Sequence, residues 1–136
     1  AAHLAALRNK LSTIAVIGCG LDIYYPKENQ KLQAYLAQHH LVLSEYLNGT
    51  APLRHHFPER NRIIAGLSRG VVVIEAKIRS GSLITCKCAL EHGREVFAVP
   101  GDILSGHSSG CHRLIQQGAK CIENSADIMD EFYDFE

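Results

Sequence analysis

The chain has 136 residues, of which 46% are hydrophobic and 21% are charged, a composition typical of folded globular proteins rather than disordered tails. This length suffices for one domain with a hydrophobic core and is short for two ordinary domains. Fourteen Lys and Arg balance fourteen Asp and Glu, so any site for a polyanion must be a local basic patch.

The predicted elements alternate along the chain between helices and short apolar strands. The strands are residues 13–17, 41–43, 71–74, 95–99 and a stretch near 121. The helices cover residues 1–11, a segment opened by Pro26, 59–67, 80–92, a segment around Leu114 and a last one from about Ser125.

Each predicted strand is apolar throughout rather than at alternate positions, which indicates parallel strands buried on both faces. The sequence therefore predicts an α/β fold, a doubly wound and mostly parallel sheet with helices on both faces. Since no linker or internal repeat interrupts the chain, we predict a single domain over residues 1–136.

Cysteine usage and hydropathy limit the class of protein further. The five cysteines match neither a zinc ribbon nor a disulfide framework: Cys19, Cys86, Cys88, Cys111 and Cys121. We therefore expect reduced thiols and no metal. No run of about 18 apolar residues and no secretory pattern is found, so we expect a cytoplasmic protein.

Three loops follow predicted strands, where open parallel sheets bind ligands: residues 18–22, 75–82 and 100–102. Gly18 and Gly20 fit a plain tight turn better than a dinucleotide loop, because the fingerprint needs Gly where Ile23 stands. The segment 80–82 fits a simple helix cap and a phosphate-cradling site equally well. Glu75 is a candidate ribose ligand or general base, although no catalytic triad accompanies it.

Residues 54–62 concentrate three arginines and one phenylalanine, which together make a local basic patch. Guanidinium groups bind phosphates and an aromatic ring stacks on an unpaired base, so the segment favours single-stranded nucleic acid. The alternative is a solvated helix N-terminus. We interpret His55 and His56 as surface polar groups rather than as metal ligands or bases.

Several motifs occur in order over nearly the whole chain: 13–22 with Tyr25-Pro26 and Asn29, 44–46, Phe57-Pro58 with 60–68, Glu75-Ala76 with 80–85, 93–101, and 110–115 with Gly118-Ala119. Together they resemble the DprA/Smf family of DNA-processing proteins. The family's opening Gly-Ser-Arg strand and the loop after it would precede Ala1, so the expected domain is N-terminally truncated.

The resemblance implies an extended Rossmann-like fold, binding of single-stranded DNA and loading of the RecA recombinase during natural transformation. It implies no enzyme and no cofactor. The implied DNA-binding residues are Lys27, Arg54, Phe57, Arg60, Asn61, Arg62, Lys77, Ser80 and Gly81. The alternative is a nucleotide-binding or nucleotide-hydrolysing enzyme of related fold, which the loop 100–102 fits poorly because it lacks a second Gly.

A homodimer is expected through the C-terminal third. There the apolar side chains exceed what one short strand and two short helices easily cover: Leu104, Leu114, Ile115, Ile128, Met129 and Phe132. The resemblance implies the same pairing, with an overlapping RecA surface near Leu90 and Gln116. The implied partner-binding residues are Leu90, Leu114, Ile115 and Gln116.

Overall fold

The computed structural model describes residues 1–133, in which helices alternate with parallel strands. The helices are α1 (Ala2–Arg8), α2 (Gln30–His39), α3 (His56–Leu67), α4 (Ser82–Glu91), α5 (Ser109–Gln116) and α6 (Ser125–Met129), with a 3-10 turn at Lys27–Asn29. The strands are β1 (Ile14–Val16), β2 (Leu41–Leu43), β3 (Gly70–Val73), β4 (Glu95–Ala98) and β5 (Lys120–Cys121).

The predicted strands are confirmed to within two residues at each end, because short apolar runs bounded by glycine and polar residues mark them clearly. Helix α3 begins at His56, three residues before the predicted start. Pro58 therefore lies inside the first turn, where its missing N–H removes no helical hydrogen bond.

The contacts divide the described chain into two compact units, Ala1–Arg60 and the residues from Asn61 onward. In the first unit β1 pairs in parallel with β2, with Ile14 opposite Leu41 and Val16 opposite Leu43. The single domain over residues 1–136 stays a prediction.

In the second unit the three strands lie in the order β3-β4-β5, all parallel. The central strand β4 is buried at Val96, Phe97 and Ala98, which explains its unbroken apolar sequence. Strand β3 is the first strand in this order. Val72, which lies on β3, is 37% exposed, and Ile74, which directly follows the strand, is 67% exposed. These parallel strand–helix repeats form an α/β, Rossmann-like fold.

The core of the second unit is built mainly from small side chains, which allow the helices to approach the sheet closely. Its buried members are Ala65, Val73, Ala76, Cys86, Ala89, Val96, Ala98, Cys111 and Leu114. Leu114 is only 8% exposed, because α5 turns it onto this core. Its role in binding a partner stays a prediction, although its side chain packs into this core.

Among the helices of residues 1–133, none is both long enough and apolar enough to span a membrane.

Candidate nucleic-acid interface

The turn after β1 brings two glycines against the rest of the first unit. A Cβ on Gly20 would lie 2.7 Å from the carbonyl oxygen of Leu47, so only glycine allows this approach. The Gly20 amide donates to the Thr50 carbonyl at 3.0 Å, and the Gly49 amide donates to Asp22 Oδ1 at 2.7 Å. The turn is thus held by contacts within the chain, to the backbone and to the Asp22 carboxylate, which supports the tight-turn interpretation over a dinucleotide loop.

Tyr25, Phe57 and Arg60 form an aromatic–arginine cluster, which packs against Gly18 through the Phe57 ring. A Cβ at Gly18 would lie 3.1 Å from the Phe57 ring, so the glycine lets this ring pack against the turn. The Tyr25 and Phe57 ring centroids are 5.9 Å apart at an interplanar angle of 43°. The Arg60 guanidinium lies 5.3 Å from the Phe57 centroid, within cation–π range.

The charge of Arg60 is held at the end of β1. Phe57 and Arg60 are three residues apart on α3 and so share one face of the helix. Arg60 Nη1 donates to the Val16 carbonyl at 2.7 Å. Burial lowers the pKa of the Arg60 guanidinium from its ordinary value, while nearby Tyr46 and Cys19 act in the opposite direction. A cation near a helix start, which the helix dipole disfavours, is thus compensated by a strand carbonyl.

His56 has a structural place, contrary to its interpretation as a surface group. It is 5% exposed, its Nδ1 lies 3.0 Å from the Gly18 carbonyl oxygen, and its ring stacks on Tyr46 at 4.1 Å. Tyr46 in turn donates its hydroxyl to Glu59 at 2.6 Å. His55 is exposed, as expected.

The remaining predicted residues of the first unit are Lys27 and Arg54, and both are exposed. Lys27 lies in the 3-10 turn two residues after Tyr25, and Arg54 lies in the turn before α3. Phe57 is half-buried rather than fully exposed, because its ring packs on Gly18. The first unit therefore combines two exposed cations with an aromatic pair.

The second unit holds the other five predicted residues. Asn61 Nδ2 donates to the Gly81 carbonyl at 3.5 Å, and Ser80 Oγ accepts from the Ser82 amide at 3.2 Å. Gly81 has φ −59° and ψ −24°, an ordinary helical conformation, so the unusual dihedral angles expected of a phosphate-cradling loop do not occur here. Arg62 is exposed on α3.

An open depression of about 520 Å³ surrounds Lys77 and Ser80 in the second unit. Arg79 also lines it, as do Glu75 and His107, whose Oε1 and Nδ1 lie 3.7 Å apart. The Glu75 carboxylate and the His107 ring form an ion pair only when His107 is protonated. Within residues 1–133, no three His, Cys, Asp or Glu side chains gather in a way that would hold a metal ion.

The predicted partner-binding residues separate by exposure. Leu90 is 63% exposed and Gln116 is exposed, whereas Ile115 is half-buried against the core. Leu90 lines a groove of about 280 Å³ together with Arg94, Val96 and Ala119. Leu114 contributes to the floor of this groove while remaining in the core.

Tyr25 is absent from the DNA-binding residues that the resemblance implies, although its ring lies beside Phe57 in the structure. The available signal was the aromatic Tyr25 next to Pro26 and two residues before Lys27. Nothing in the spacing of residues 25 and 57 indicates that they meet, because their contact depends on how the turn at Gly18 packs.

Comparison with known proteins finds relatives that match nearly the whole chain. Residues 1–133 match the family model described as DNA recombination-mediator protein A. The DNA processing protein DprA of Streptococcus pneumoniae is 64% identical over 132 residues, which are 97% of this chain and 47% of that protein. The DprA protein of Bacillus subtilis is 51% identical over 129 residues, 95% of this chain and 43% of that protein.

Two solved structures are similar as well. The X-ray structure of S. pneumoniae DprA gives a TM-score of 0.93 at 63% identity, covering 96% of this chain and 46% of that one. A Helicobacter pylori DNA processing protein A structure, described as giving insight into a unique single-stranded DNA binding mode, gives 0.80 at 31% identity. It covers 90% of this chain and 56% of that one. The chain spans about half the length, or less, of the curated relatives it matches.

Proposed function

The chain belongs to the DNA recombination-mediator protein A family, and on that premise we propose that it binds single-stranded DNA. The observation that carries the proposal is the aromatic–arginine cluster, with Arg60 5.3 Å from the Phe57 centroid and Tyr25 5.9 Å from Phe57. Exposed Lys27 and Arg54 in the same unit supply cations for phosphates. Stacking rings combined with cations suit a strand whose bases are unpaired.

Binding, rather than catalysis, is the proposed role. In this proposal Glu75 is an exposed residue that His107 partners, and it does not act as a general base. The protein would protect incoming DNA in the cytoplasm during natural transformation and recombination, help load RecA, and pair as a homodimer through its C-terminal part. Exposed Leu90 and Gln116 are the residues proposed to meet these protein partners.

The test is a titration of labelled oligo-dT and of a hairpin duplex of equal length, followed by fluorescence anisotropy. We expect tighter binding of oligo-dT, and we expect its affinity to fall steeply with salt as counterions are released. Equal affinity for the two ligands, or no salt dependence, would contradict the proposal. Incubation with mononucleotides provides the second arm, in which release of base or phosphate would favour an enzyme instead.

A further inference from the structure

Tyr25 is the more exposed of the two rings in the aromatic–arginine cluster. Its exposed fraction is 57%, whereas Phe57 is half-buried. Building on the proposed function, we propose that Tyr25 is an additional base-stacking residue, which holds one unpaired base of single-stranded nucleic acid on its outward face.

The residues around Phe57 reduce the ring area that it offers to a base. One edge of the Phe57 ring packs on the turn at Gly18, and the Arg60 guanidinium lies 5.3 Å from its centroid. Much of this ring is therefore occupied by the protein itself. The Tyr25 ring packs beside it at an interplanar angle of 43°. Phe57 therefore covers only part of Tyr25, and much of the tyrosine surface is exposed to solvent.

The chemistry around Tyr25 matches a nucleotide with its base on the ring. Lys27 is exposed two residues further along the chain, where its ammonium group is available to a phosphate. A cavity of about 230 Å³ is lined by Tyr25, Asn29, Gln33 and Arg60. Ligand pockets usually enclose about 300–1,000 Å³, so this space is small for an enclosed nucleotide and favours stacking at its rim.

Stacking needs the ring of Tyr25 and not its hydroxyl, which defines the first experiment. In purified protein containing this chain, we expect Tyr25→Ala to weaken oligo-dT binding roughly 5- to 100-fold, since a base–aromatic stack contributes on that order. Tyr25→Phe should bind like the wild type. Tyr35→Ala is the matched control, because Tyr35 is also exposed, at 47%, but lies on α2 outside the cluster.

An abasic oligomer of the same length separates stacking from charge. Tyr25→Ala and the wild type should bind it equally, because it presents phosphates without bases. Equal loss of affinity for oligo-dT and for the abasic strand would overturn the proposal, and so would unchanged oligo-dT binding by Tyr25→Ala. If the wild type itself binds no oligo-dT, the proposed function fails first and the stacking role fails with it.

A direct optical signal keeps the test independent of folding losses. These 136 residues contain no tryptophan, so Tyr25→Trp introduces the single reporter within them, and the wild-type protein supplies the background emission. We expect oligo-dT to quench its emission, whereas the abasic strand should leave it nearly unchanged. Tyr35→Trp should respond to neither ligand. An unquenched Tyr25→Trp that still binds oligo-dT would exclude stacking at this ring.

Discussion

The backbone amide of Gly110 donates a 2.7 Å hydrogen bond to the carbonyl oxygen of Ala76, where the first turn of α5 meets the loop after β3. The approach is so close that a Cβ on Gly110 would lie 2.7 Å from the same oxygen and 2.6 Å from that of Lys77. Both neighbours are backbone atoms, which cannot rotate away. Position 110 therefore fixes the loop that carries Lys77 and Ser80.

Gly110→Ala should lower the free energy of unfolding by about 1–3 kcal/mol, because the added methyl group forces the backbone of α5 and the loop apart. Chemical denaturation followed by circular dichroism measures it. Gly66→Ala is the matched control: Gly66 is also helical, no atom lies within 4 Å of its Cβ position, and alanine favours helix by about 1 kcal/mol. A Gly110→Ala protein as stable as the control would contradict the packing argument.

Lys27→Glu and Arg54→Glu should each weaken oligo-dT binding while changing the melting temperature little, because both side chains are exposed. The expected loss is uniform across base sequences, since phosphates rather than bases are contacted. Lys31→Glu on α2 makes the same charge change at another exposed position and serves as the control. A large fall in melting temperature would identify either residue as structural instead.

Alkaline pH should destabilise the second unit through Cys86. Burial raises the pKa of this thiol from 9.0 to about 11, with neighbouring Cys111 adding to the effect. The folded state thus keeps the proton that the unfolded chain releases first, so stability is full below pH 9 and falls as the pH rises to about 11. This rise in the pKa of Cys86 corresponds to a loss of about 2–3 kcal/mol in the free energy of unfolding across that pH range.

Guanidinium denaturation at pH 8.0 and pH 10.5 checks the role of Cys86. Cys86→Ala should show a smaller loss of stability between the two pH values than the wild type. Cys121→Ala, at an exposed cysteine, should lose as much as the wild type. Identical pH dependence in all three proteins would refute the role of Cys86.

Substitutions at Leu90 and Leu114 should have different effects if the proposed partner surface exists. Leu114→Ala should lower the free energy of unfolding by about 2–5 kcal/mol, because it empties part of the core. Leu90→Glu should leave the melt nearly unchanged and act only on association, since Leu90 is 63% exposed. Light scattering and RecA co-sedimentation measure the association. If Leu90→Glu retains both partners, Leu90 does not belong to their surface.

Local sequence signals predicted the elements well and the tertiary contacts of the site poorly. The strand at 41–43 is found where expected, because an apolar run after a helix has few alternatives. The prediction of His56 as a surface group is wrong, and Tyr25 is missing from the predicted DNA-binding residues, because the surroundings of both depend on tertiary packing. His56 is buried under Tyr46, ten residues earlier, and Tyr25 meets Phe57 across 32 positions of sequence.

Burial on α5 was likewise beyond the sequence pattern. Leu114 and Ile115 are adjacent and equally apolar, so composition alone assigns both to a surface in need of cover. The helix places Leu114 on the core and leaves Ile115 half-buried, a distinction that depends on the rotation of α5 against β4. Periodicity indicates that a helix has an apolar face without indicating what covers it.

Exposed apolar side chains on and just after β3 affect how this chain behaves at high concentration. Val72 lies on β3 and Ile74 directly follows it, and both side chains are exposed. Neighbouring exposed apolar side chains favour association between molecules. Ile74→Lys should keep concentrated samples dispersed, because it replaces a side chain that is 67% exposed and apolar with a charged one.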